Sequence, residues 1–216
     1  MALSPELVAP DRTAIVINEF QRGVVGDLST MAQIVESARR PIDALAGLLA
    51  VARPLGIAVV HCVVERRADG RGANQNTAFA AAARNRQAGA TPVPTVDPVA
   101  FAEVVPELGP EPSDFVVGRL HGMSPMADTG LDPLLRNLGV QTVVATGASL
   151  NVGIVALAND AMNRGYDVVV PGDACSAIRA QYGADMLRYS FPIISRVTTT
   201  EELCSLWTTV PPANDT

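Results

Sequence analysis

Thr142-Val-Val-Ala-Thr-Gly-Ala-Ser-Leu-Asn-Val-Gly-Ile154 reveals more of this chain's architecture than any other stretch. Thr142–Ala145 is a short apolar run bounded by a turn, the mark of a strand covered on both faces. A glycine-bearing turn follows. From Asn151 to Arg164 the apolar residues recur at helical spacing, and Gly165 closes the helix. A strand running through a turn into a helix start gathers backbone N–H groups and the positive end of a helix dipole, which favours negative charge. A hydrolase with a nucleophile on that first turn would place Cys or Ser at position 153. Gly153 stands there, so the chemistry expected at this turn does not pass through a thiolate.

The same alternation extends in both directions. Expected strands are Ala14–Asn18, Ile57–Val64, Asp114–Val117, Thr142–Ala145, Asp167–Val170 and Ile194–Val197. Expected helices are Met31–Arg53, Thr77–Gln87, Leu131–Leu138, Asn151–Arg164, Gly183–Tyr189 and Thr200–Trp207. The first helix carries Ile34, Val35, Ala38, Ile42, Leu45, Leu48 and Leu49 on one stripe, and Pro41 inside it predicts a break or kink. The Pro-rich Thr91–Glu111 segment reads as mostly irregular, with one short helix, and Met1–Pro10 and Pro211–Thr216 read as loose tails. Short Val/Ile-rich strands alternating with helices predict a single three-layer α/β/α domain over residues 1–216, core about 13–207, with about six mainly parallel strands.

Composition narrows the function. Hydrophobic residues make up 48% of the chain, enough for a full core in 216 residues. No apolar run approaches the roughly 20 residues that span a bilayer, and the start lacks the basic and apolar regions of a signal peptide. Sixteen basic against 22 acidic residues, with no basic run, argue against nucleic acid or anionic membrane as partners. Cys62, Cys175 and Cys204 are odd in number and widely spaced, which fits a reducing cytoplasm and packing roles. His61 and His121 are the only histidines and form no ligand-spaced motif, so neither a metal site nor a cofactor is expected.

Ligands of parallel α/β sheets bind at the carboxyl ends of the strands, so the residues just past each strand matter most. After the first comes Glu19-Phe20-Gln21-Arg22. A carboxylate at the end of a buried strand is partly desolvated, which raises its pKa and suits general acid work; as a loop residue it is simply solvated. After the third come Arg119 and His121, which point the same way if the chain stays extended, a cation and an imidazole over one pocket. Otherwise Arg119 is a surface or ion-paired arginine and His121 a loop histidine. Glu65–Asn76 reads as a solvated loop or lid, with Asn76 expected to cap the following helix. Asp173 is expected to shape a turn.

Taken together, these positions resemble the isochorismatase-like (cysteine hydrolase) superfamily, over about Thr13 to Trp207. The family's I-D-x-Q falls on Ile17-Asn18-Glu19-Phe20-Gln21, with Glu19 on the acid. Its central lysine falls on Arg119. Its nucleophile segment G-x-x-T-N-V-C falls on Gly147-Ala148-Ser149-Leu150-Asn151-Val152-Gly153, with Gly153 on the cysteine. Asp160-Ala161, Arg164-Gly165-Tyr166-Asp167-Val168-Val169-Val170 and Asp173-Ala174 continue the match. The resemblance implies a Rossmann-like fold, a non-proline cis bond at Ala148–Ser149, and a homodimer or tetramer. In such an assembly the partner chain would complete the pocket through Arg66–Asn76 or Thr91–Glu111.

All three catalytic positions depart from the amidase pattern. Glu adds a methylene, a guanidinium is a permanent cation that does not shuttle protons, and Gly removes the nucleophile. True isochorismatases of the superfamily also carry Gly there and protonate a vinyl ether without a covalent enzyme intermediate. The leading expectation is a Cys-independent hydrolase of a small carboxylate, with Glu19 as general acid and Arg119 as anion anchor. Gln21, Arg22, His121, Ala148, Ser149 and Asn151 would bind substrate. Its competitors are an inactive metabolite-binding or assembly protein that keeps the fold, and an amidase using water activated by Glu19. Ser149 has no histidine in local sequence to activate it as a substitute nucleophile.

Overall fold

A computed structural model describes residues 3–78, 80–82 and 96–209. Six strands, β1 (Thr13–Asn18), β2 (Ala58–Val64), β3 (Phe115–Arg119), β4 (Thr142–Gly147), β5 (Asp167–Pro171) and β6 (Arg196–Thr198), form one sheet in the order β3-β2-β1-β4-β5-β6. Every pairing is parallel. The helices are α1 (Ala32–Ala52), α2 (Pro98–Ala102), α3 (Leu131–Asn137), α4 (Val155–Asn163), α5 (Ala180–Asp185), α6 (Phe191–Ile194) and α7 (Thr200–Thr209), with further helical residues at 78 and 80–82.

Alternation along the strands divides the core in two. Ile15 and Ile17 of β1 face a layer built from α1 and α7, where Leu45, Leu48, Leu49, Leu203 and Trp207 are buried. Ala14 and Val16 face the opposite layer, where Leu131 and Leu135 of α3, Leu157 and Ala161 of α4, and Phe191 of α6 are buried. Covered on both sides, β1 and β4 are apolar through their middles, Ala14 to Ile17 and Val143 to Ala145, with polar residues only toward their ends.

Several expectations change. The helix α1 runs unbroken through Pro41, because Ile34 and Ala38 before it and Ile42 and Leu45 after it bury against one layer; that packing outweighs one lost backbone bond. The last strand begins at Arg196, since Ile194 is taken into α6. The N-terminal segment is docked: Val8 is buried and its carbonyl accepts from Trp207 Nε1 at 2.8 Å. Thr77, in place of Asn76, caps the helical residues that follow, with Oγ1 accepting from Ala80 N at 3.0 Å. Most of the expected helix Thr77–Gln87 and residues 210–216 lie outside the described residues.

The strand order reverses between β1 and β4. Their carboxyl ends, Asn18 and Gly147, are paired in register, and it is beside such a reversal that open α/β sheets leave a crevice.

Candidate active site

At the exit of β1 the backbone is tied down before it turns. Glu19 N donates to Cys62 O at 2.8 Å, and Glu19 itself adopts φ 56°, a conformation uncommon for a residue with a side chain. Such a conformation persists where the surroundings enforce it, and functional sites are where it clusters. Gln21 supplies the enforcement. Fully buried, it donates from Nε2 to Val64 O and Phe101 O, both at 2.9 Å, and accepts from Val64 N at 2.7 Å. Its amide is committed to backbone, so Gln21 braces the loop and the expected substrate contact is not its place.

The turned backbone aims Glu19 at Arg119, the last residue of β3. Arg119 Nη2 donates to Glu19 Oε1. The arginine side chain is 4% exposed and the glutamate 21%, so the pair sits at the edge of the interior. Arg119 Nε reaches Gly122 O at 3.4 Å, and Nη1 is buried with no partner. Burial pushes the Glu19 carboxyl above the usual carboxylate range, and the opposing charge and hydrogen bond of Arg119 only partly offset it.

The third component is the turn after β4. Gly147 has φ 111°, and a Cβ there would land on the backbone of Asn18, so glycine is required. Ala148 N donates to Asn18 O at 2.7 Å, and Asn18 Nδ2 donates back to Ala148 O. The Ala148–Ser149 peptide is cis. Ser176 holds the far side, with its N donating to Gly147 O and its O accepting from Leu150 N, both at 2.9 Å. Ser149 Oγ contacts Asn151 Oδ1 at 3.1 Å, and Leu150–Ile154 winds as one wide turn into α4.

The structure thus brings Glu19, Arg119, Ala148, Ser149, Asn151 and Gly153 to the carboxyl ends of β1, β3 and β4, on one edge of the sheet. It does not bring in the others. Arg22 is turned to solvent, bridged to Asp27 at 2.8 Å and Glu103 at 2.5 Å. His121 is exposed because β3 ends at Arg119 and the chain bends, so the alternation that would align the two stops. Asp173 caps α7 by accepting from Thr200 N at 2.9 Å. Two open hollows of about 460 and 480 Å3 lie elsewhere, beside Ile193 and Arg196 and beside Arg53 and Phe115; neither includes Glu19 or Arg119.

None of the cysteines is poised as a nucleophile. Burial pushes the Cys62 thiol up to about 12 and raises Cys175 and Cys204 as well. The residue the sequence reading passed over is Asn18, and its signal was a carboxamide closing an otherwise apolar strand.

Comparison with known proteins agrees with this fold. The isochorismatase domain model matches residues 13–202. The uncharacterized isochorismatase family protein YwoC of Bacillus subtilis (strain 168) is 34% identical over 105 residues, 49% of this chain and 55% of that protein, so the match spans only about half of the relative. Among solved structures, a cysteine hydrolase from Pseudomonas syringae pv. phaseolicola 1448A superposes with TM-score 0.76 at 25% identity, covering 97% of each chain. An isochorismatase family protein from Desulfovibrio vulgaris subsp. vulgaris str. Hildenborough gives 0.75 at 28% identity, covering 91% of this chain and 98% of that one.

Proposed function

This chain belongs to the isochorismatase family, and from that premise we propose that it hydrolyses a small organic acid without a covalent enzyme intermediate. The observation that carries the reading is the half-buried Glu19 carboxyl. It is raised by desolvation, paired with a buried arginine, and set beside a turn whose nucleophile position is glycine. A carboxyl raised by burial holds its proton to higher pH than an ordinary glutamate, which suits it to act as a donor. An arginine with one buried, unpartnered Nη1 has a place for an anionic oxygen.

In this mechanism the substrate carboxylate takes Arg119 and draws it from Glu19. With the cation satisfied by the substrate, Glu19 holds its proton more firmly and delivers it to a substrate carbon. A vinyl ether is the group that such a proton activates, because the cation formed is stabilised by the ether oxygen. Water completes the hydrolysis. The turn Ala148–Asn151 lines the substrate's other side, and Gly153 leaves no group to trap it covalently. The domain works as one unit over residues 1–216, in the cytoplasm, as a homodimer or tetramer whose partner chain closes the pocket over the partly open Glu19.

The test is a turnover screen of small carboxylic acids and carboxylated vinyl ethers. Cleavage of a vinyl ether in deuterated water, with one deuterium placed on product carbon, is the expected result. Tight binding of such acids with no turnover would instead mark a metabolite-binding protein on this fold, and full activity in Glu19→Gln would eliminate the mechanism.

A further inference from the structure

Position 153 has no side chain, and the space for one is filled. A Cβ built on Gly153 lands on Asn18 Nδ2 and lies 2.7 Å from Ala148 O. In a close-packed interior neither Cys nor Ser fits there while Asn18 keeps its place. Asn18 is fully buried, and both its side chain and its backbone carbonyl bond the peptide of Ala148, so the carboxamide is held in position. Its Oδ1 has no partner. Among the described residues it shares that state with only Arg119 Nη1 and Ser176 Oγ, and all three residues bond directly to Glu19 or to the turn 147–150. A buried acceptor left unpaired bears the full loss of its hydration, and three orphaned atoms around one site mark polar positions kept for something that binds there.

A side chain at 153 would carry its reacting atom from this point toward the substrate. The group now standing at that point is a carboxamide, which is no nucleophile but is a good hydrogen-bond acceptor. We propose that Asn18 is the water-positioning residue of the site: its carboxamide occupies the nucleophile's seat, and Oδ1 accepts a hydrogen bond from the attacking water. This rests on the proton-donor reading above. Glu19 gives its proton to the terminal alkene carbon, the π pair forms the new C–H bond, and the ether-bearing carbon becomes an oxocarbenium ion. The water on Asn18 Oδ1 adds a lone pair to that carbon and returns a proton to the Glu19 carboxylate. The hemiketal then breaks its bond to the ether oxygen, which leaves as the alcohol with the hemiketal hydroxyl's proton, and a ketone remains.

One arm of the test needs no substrate. Gly153→Cys alone is expected to lower Tm, and its new thiol to react with iodoacetamide about tenfold more slowly than in Asn18→Ala/Gly153→Cys, where the seat is open. Equal stability and equal alkylation would overturn the seat. Should neither thiol variant fold, Gly153→Ala with and without Asn18→Ala decides the same point by denaturant midpoint, and a midpoint unrelieved by Asn18→Ala counts against it. The second arm uses a vinyl ether that the native protein cleaves. Asn18→Ala is expected to lower kcat about a hundredfold, as for a misplaced reactant, at nearly unchanged KM. In deuterated water the unreacted substrate should then gain deuterium at the alkene carbon, because protonation reverses before water arrives. Unchanged kcat, or a raised KM alone, overturns the water-positioning role. If the native protein cleaves no vinyl ether, the proton-donor reading fails and the water with it, while the thiol arm still decides whether Asn18 holds the seat.

Discussion

Arg119 donates to Glu19 across 100 residues of chain, yet the carboxyl it pairs with titrates above the ordinary range. A cation normally lowers a carboxyl pKa. Here burial is the larger effect, because the Glu19–Arg119 contact sits at the end of two strands with little water around it. The pair is therefore poised: anything that satisfies Arg119 from another direction releases Glu19 to hold its proton.

Replacing Glu19 by Gln keeps a hydrogen-bonding group of similar shape toward Arg119 and removes the proton donor. Turnover should fall at least about a hundredfold, the usual contribution of a general acid, while calorimetric Kd for a carboxylate ligand stays within severalfold of native.

Arg119→Ala removes the other half of the pair. Binding of carboxylates should weaken along with turnover, since an anion anchor acts before and during the reaction. Breaking a buried pair costs about 3 kcal/mol. Here the loss should shrink toward acidic pH, where Glu19 takes a proton and no longer leaves a desolvated charge behind. Denaturant titrations of native and variant protein at two pH values would read this directly.

With substrate anion on Arg119, Glu19 loses the influence that held its pKa down. The alkaline limb of kcat should then lie at higher pH than that of kcat/KM, because the first reports the substrate complex and the second the free enzyme. Coincident limbs would mean that the anion does not engage Arg119.

The alternation of apolar runs and helical stripes was enough to read the sheet and its parallel sense, since β1 and β4 are covered on both faces and each centres on an unbroken apolar run. That Glu19 and Arg119 belong to one site was expected; their direct ion pair was not legible, because it depends on a positive φ at Glu19 and on the bracing amide of Gln21. His121 was misplaced because a strand's end is not written in its periodicity. Asn18 was passed over because what matters about it is a contact with Gly153, 135 positions away, and a glycine in sequence does not announce that its missing side chain's room is already occupied.

Treatment with iodoacetamide should leave activity essentially intact. Cys62 and Cys175 are fully buried and raised by desolvation, and Cys204 is half-buried on α7, away from the turn. Stoichiometric inactivation with protection by substrate would show that one of these thiols reaches the chemistry.

The pH dependence of stability should separate the active pair from a second buried cluster. His61 in β2 contacts Asp114 at 3.1 Å, and Asp114 is also bonded by Arg53 at 2.7 Å. Burial holds His61 below its ordinary value, with Asp114 opposing and Arg53 reinforcing. Burial would raise Asp114, but Arg53, the Glu111 amide and His61 outweigh it and hold that carboxyl low. The unfolded chain therefore binds protons more readily at both groups. Their contribution is present above the unfolded values, about 6.5 for histidine and 3.9 for aspartate, and is lost as pH falls through the lower folded ones. Glu19 runs the other way. Its folded value is raised, so its contribution is full below the unfolded value of about 4.3 and is lost as pH rises through the folded one. Native protein should thus lose stability on the acid side through His61 and Asp114, and on the way to neutrality through Glu19. Glu19→Gln should flatten only the second slope, and His61→Asn should flatten only the part of the first near pH 6. A Glu19→Gln variant with the native slope between about pH 4.3 and neutrality would show that the Glu19 carboxyl is not raised in the folded protein.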